Sequence, residues 1–142
     1  MSGDSIILIV LSLFAFLFNP LPVSHPVSYQ VNNYRREIGK EDFIWDYSMK
    51  RACYARLRTN IRNGYISHKG WSEEFRRNMD TSHFYAIGEN LAFGYDDSTV
   101  LQAWIESESH KEQLDSDMTH NYICSKFAEG YGMYYVHLFG EK

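Results

Sequence analysis

Six histidines, two cysteines and a scatter of carboxylates carry the chemistry that this 142-residue sequence can offer. Two neutral imidazoles with a carboxylate form the donor set of an open, zinc-like site that leaves room for water or substrate. No His-Glu-x-x-His run groups such donors locally, and no Cys-x-x-Cys pair marks a structural zinc site. Taken alone, each histidine is more simply a packing or surface residue. Ser107 and His110 stand three apart, so on one helix they share a face, as a nucleophilic hydroxyl and its orienting imidazole would. That spacing is commonplace, and no Gly-x-Ser-x-Gly elbow accompanies it. Cys53 and Cys124 are too few for a disulfide framework, and a bridge or two buried thiols suit the pattern equally.

The elements that must position these groups are helical first and extended later. Val31, Tyr34 and Ile38 share one helical face, and Gly39 stands where a left-handed cap would end that helix. A second helix is predicted after the N-cap Asp46, through Met49, Ala52, Cys53, Leu57 and Ile61, stopping at Asn63-Gly64. Arg51, Arg56, Arg58 and Arg62 read as its wet face. Ser72 with Glu73 and Glu74 suggests a short helix, and Ser98 caps a longer one running to Asp115. Tyr122 to Phe127 and Met133 to Phe139 then read as a β-hairpin about Glu129-Gly130-Tyr131-Gly132. The fold class is therefore α+β, in a single domain.

The first segment differs from the rest. Ile6 to Phe18 is an apolar run of about 13 residues, near a signal-peptide core and short of a membrane span. Pro20, Pro22 and Pro26 follow as a stiff linker. The expected plan is a cleaved or anchoring leader with its linker over 1–27 and a domain over 28–142, outside the cytoplasm. Lys and Arg number 14 against 18 Asp and Glu, with no basic stripe, which argues against a nucleic-acid partner.

Several segments, taken in order, resemble the CAP superfamily of cysteine-rich secretory proteins, insect venom antigens, plant pathogenesis-related proteins and bacterial SCP domains. They are Val31-Asn32-Asn33-Tyr34-Arg35, Ile44-Trp45-Asp46, Gly64-Tyr65-Ile66-Ser67-His68, Ile87-Gly88-Glu89-Asn90-Leu91-Ala92, Ala103-Trp104 with Ser107 to His110, Met118-Thr119-His120, and Tyr134 to Gly140. Each piece is short, and their order is what gives the likeness its weight.

The resemblance implies an α-β-α sandwich, a small antiparallel sheet between helices, with a shallow cleft where two histidines and one or two acidic residues can hold a divalent metal such as zinc. By position these are His68 and His120 as ligands, with Glu89 beside them. The place of the second acidic residue is taken by Ser107, and Ser107-Glu108-Ser109-His110 partly mimics the Ser-Pro-Gly-His of bacterial members, which adds Ser107 and His110 to the cleft. The function so implied is an exported binding module for a lipid, sterol-like molecule or protein, rather than an enzyme. The alternative is a metal-assisted hydrolase in which Glu89 is the general base.

Overall fold

The computed structural model describes residues 24–142; the apolar run, Pro20 and Pro22 lie outside the described residues. Helix α1 (Pro26–Glu37) opens on Pro26, which belongs to the helix and not to a linker. A first helical residue has no intrahelical partner for its N–H, so a proline there sacrifices nothing. His25 caps it: Nδ1 accepts the Val27 N–H at 3.1 Å, and Nε2 meets the Ser125 hydroxyl at 2.8 Å. Val27 and Val31 are fully buried, and Gly39, at φ 77°, takes the left-handed turn after the helix.

Strand β1 (Ile44–Trp45) is held by α1. Asn32 clamps the backbone of Phe43 in both directions, accepting its N–H at 2.9 Å and donating to its carbonyl at 3.2 Å. Arg35, 4% exposed, donates to the carbonyls of Glu41, Leu114 and Ser116 and lies 3.8 Å above the Phe43 ring. Asp46 accepts the Ser48 N–H and starts a short 3-10 turn (Tyr47–Met49) that runs into α2 (Lys50–Asn63), which Gly64 ends at φ 75°.

Helix α3 (Trp71–Asn78) follows, then strand β2 (Ala86–Phe93). The long helix expected from Ser98 to Asp115 is two helices, α4 (Val100–Glu106) and α5 (Glu108–Asp115). The break falls at Ser107, whose backbone is extended at φ −100° and ψ 117°, so Ser107 and His110 do not share a face of one continuous helix. The hairpin is β3 (His120–Ala128) and β4 (Gly132–Glu141).

The sheet order is β1-β3-β4-β2, with β1 parallel to β3 and the other pairings antiparallel. Successive side chains on a strand alternate faces, so the sheet buries two cores. Cys53, Leu57, Phe75, Leu91, Tyr122, Val136 and Leu138 fill the one beneath α2 and α3. Val31, Phe43, Val100, Trp104, Leu114, Ile123 and Phe139 fill the other, beneath α1, α4 and α5. The architecture is the α-β-α sandwich expected. A disulfide between Cys53 and Cys124, with Cα atoms 6.1 Å apart, ties α2 to β3.

Candidate functional site

Strand β2 stands at the edge of the sheet, so groups from both helical layers can meet around it. Glu89 points to the α2 and α3 side, as Leu91 does, and its carboxylate is almost fully buried. Burying that charge requires partners, and Arg56 from α2 supplies the main one. Its Nε donates to Oε2 at 2.7 Å and its Nη2 to Oε1 at 3.3 Å. The same guanidinium reaches Glu74 on α3 at 3.1 Å and the carbonyl of Ser67. Thr59 donates to the other Glu74 oxygen at 2.6 Å. One buried cation thus joins α2, α3, β2 and the segment that carries His68.

His68 Nδ1 lies 3.0 Å from Glu89 Oε1. A carboxylate only accepts, so Nδ1 carries the proton and Nε2 is left to face other groups. The His110 ring, from α5, comes within 6.0 Å of it, centroid to centroid. Asn90 fixes that approach by donating to the His110 carbonyl at 2.9 Å, from the opposite face of β2 to Glu89. Burial, with a smaller contribution from the neighbouring His68, pushes the His110 pKa down, which favours a neutral imidazole at neutral pH.

Beside His110 lies a cavity of about 330 Å³ with mostly apolar walls, among them Ile66, Leu91, Phe93, Tyr95 and Trp104. It shares Tyr95, Ala103 and Ser107 with a wider hollow of about 570 Å³, whose other walls are Ser98, Thr99, Gln102 and Glu106. Trp104 is held as a wall by donating its indole N–H to the Leu91 carbonyl at 3.0 Å. Gly88, on the strand beneath, leaves room for the end of the Gln113 side chain of α5, which a β-carbon there would push aside.

Three solved structures share this fold. An outer surface protein of Borrelia burgdorferi matches at a TM-score of 0.74 and 20% identity, over 82% of this chain and 90% of that one. An extracellular protein of Bacillus anthracis containing an SCP domain matches at 0.69 and 21% identity. A cysteine-rich secretory protein of Staphylococcus aureus matches at 0.65 and 15% identity. The fold is CAP-type. The last two comparisons each cover 82% of this chain but only 39% and 37% of the longer proteins. No family model and no curated protein matches the sequence.

Within this CAP-type fold, His68, Glu89 and His110 come together, and Ser107 lines the adjoining cavity. His120 is placed elsewhere. It starts β3, paired with Ile44 on one side and Gly140 on the other, so β4 separates its strand from β2 by about 10 Å. Its Nδ1 meets the Thr119 hydroxyl at 2.7 Å. Burial lowers its pKa, and the charges that act on it are those of Lys142, Asp46 and His83. His137 is completely buried, with Asn121 at 3.0 Å from its Nε2.

The metal implied by the resemblance fits this cleft poorly. Among the described residues, no group of three or more His, Cys, Asp or Glu is arranged to hold a metal ion. Glu89, the carboxylate beside the two imidazoles, has both oxygens engaged by Arg56 and His68. Those bonds also leave it ill placed to act as a general base.

Arg56 is the participant that sequence reasoning missed. It was grouped with Arg51, Arg58 and Arg62, yet the buried positions of α2 are Ala52, Cys53, Arg56, Leu57 and Asn60. That spacing of one, three, one and three marks a single helical face, and it was available in the sequence.

Proposed function

We propose that this protein is an extracytoplasmic binding module that takes an amphipathic small molecule of lipid or sterol-like type into the groove beside His110. The observation that carries the reading is the adjacency of two cavities that share Tyr95, Ala103 and Ser107 and differ in their other walls. Ile66, Phe93 and Trp104 favour an apolar body, while Ser98, Thr99, Gln102 and Glu106 favour a polar end. Support for a location outside the cytoplasm comes from the Cys53–Cys124 disulfide, which persists in oxidising compartments, and from the apolar run over residues 6–18. Two structural neighbours, an outer surface protein and an extracellular protein, agree with it.

The test is displacement of a fluorescent fatty acid and a fluorescent sterol from wild type and from Ala103→Trp, which places an indole where the two cavities meet. One probe should bind wild type and bind the variant at least about tenfold more weakly, with unchanged circular dichroism. Wild type that binds neither probe, or a variant that binds equally well, would remove the groove as the site. A hydrolase has less support, since the carboxylate beside His68, Glu89, is engaged by Arg56 and by His68 itself.

A further inference from the structure

We infer that Arg56 is the resident cation of the cleft, and that its charge and its bonds to Glu89 keep a divalent metal from His68, His110 and that carboxylate. His68 and His110 bring two imidazoles within 6.0 Å, and the buried Glu89 carboxylate is the third group beside them. A metal at this place needs a carboxylate oxygen as ligand, or at least the carboxylate's uncompensated charge. Arg56 removes both. Its Nε and Nη2 occupy the two Glu89 oxygens, and its positive charge, 3% exposed, sits in a medium that screens poorly.

The guanidinium also does structural work that a metal does elsewhere. It holds the carbonyl of Ser67, the residue before His68, and through Glu89 it fixes the imidazole itself. It is anchored from behind by Glu74, which Thr59 orients in turn. A planar group with five donors suits this many-sided task, whereas an ammonium could satisfy only part of it. The orienting pair of His68 and Glu89 is therefore organised in the absence of a metal, and this holds whether or not the neighbouring groove binds an apolar molecule.

The test uses cobalt(II) as a spectroscopic probe of the whole protein, read by its visible absorption and by equilibrium dialysis. Wild type should show no stoichiometric binding at micromolar metal. Arg56→Met, which keeps much of the stem and removes the charge, should bind one ion about 100-fold more tightly than wild type. Adding His68→Ala to that variant should abolish the gain, and Arg56→Lys, which keeps the charge, should behave as wild type. Stoichiometric cobalt on wild type that is lost in His68→Ala would overturn the inference. So would a folded Arg56→Met that binds no better, or an Arg56→Lys that binds as tightly as Arg56→Met. If Arg56→Met does not fold, wild type and His68→Ala still decide the matter: equal absence of binding in both supports the assignment, and His68-dependent binding overturns it.

Discussion

Two arginines are buried almost equally in this domain, Arg35 at 4% and Arg56 at 3% exposure, and they are put to different uses. Arg35 meets only neutral acceptors: the carbonyls of Glu41, Leu114 and Ser116, and the face of Phe43. It closes the end of α5 and joins it to α1, and burial lowers its pKa. Arg56 meets two carboxylates, one of which orients an imidazole at the open edge of the sheet. The first serves architecture alone, and the second is architecture that ends in a candidate site residue, His68. A buried charge is informative about function when its partners are themselves charged and one of them borders solvent.

Four variants break or sharpen that contrast. Arg35→Met should cost the most, about 4 kcal/mol in urea unfolding, because it orphans three carbonyls and loses the stacking on Phe43. Groove binding by the surviving folded fraction should be unchanged. Arg56→Met should cost about 3 kcal/mol, the penalty of leaving buried carboxylates unpaired. Hydrogen exchange would separate the two: residues 64–70 should open in the Arg56 variant, and the α1 to α5 junction in the Arg35 variant.

The histidines divide in the same way, with a smaller effect. His137 is buried and neutral, its pKa pushed well below the usual value by desolvation. The folded pKa lies below the unfolded one, so stability is complete above about pH 6.5 and falls as the pH drops further. One proton is worth about 1.4 kcal/mol per pH unit, so His137→Gln should flatten the stability profile between pH 6.5 and 5 by about 2 kcal/mol. Urea titrations at a series of pH values would show it. Smallest of all, His110→Phe should change stability by less than about 1 kcal/mol, since the ring is only partly enclosed, while altering probe affinity in the adjoining cavity.

The ordered motifs made the fold and the closing hairpin readable in the sequence. The opening segment Val31-Asn32-Asn33-Tyr34-Arg35 acquires a physical meaning here, as Asn32 clamps Phe43 and Arg35 spans three carbonyls. Strand β2 was not assigned because its centre pairs a buried carboxylate with a buried amide, Glu89 and Asn90, which erases the apolar alternation that marks a strand. The split at Ser107 was invisible for a different reason. Helical periodicity continues across the kink, and only the extended backbone at one residue interrupts it. His120 followed the resemblance to a residue just before the hairpin, whereas sheet order decides which histidine reaches Glu89, and strand order is a long-range property that local spacing does not encode.

The most direct measurement is a double-mutant cycle on Arg56 and Glu89, with Arg56→Met, Glu89→Gln and the pair compared by chemical denaturation. A coupling of about 2 kcal/mol is expected, with the double variant more stable than Arg56→Met alone. Additive losses, with coupling near zero, would mean that the guanidinium and the carboxylate do not depend on each other, and the cleft would lose the bond around which it is built.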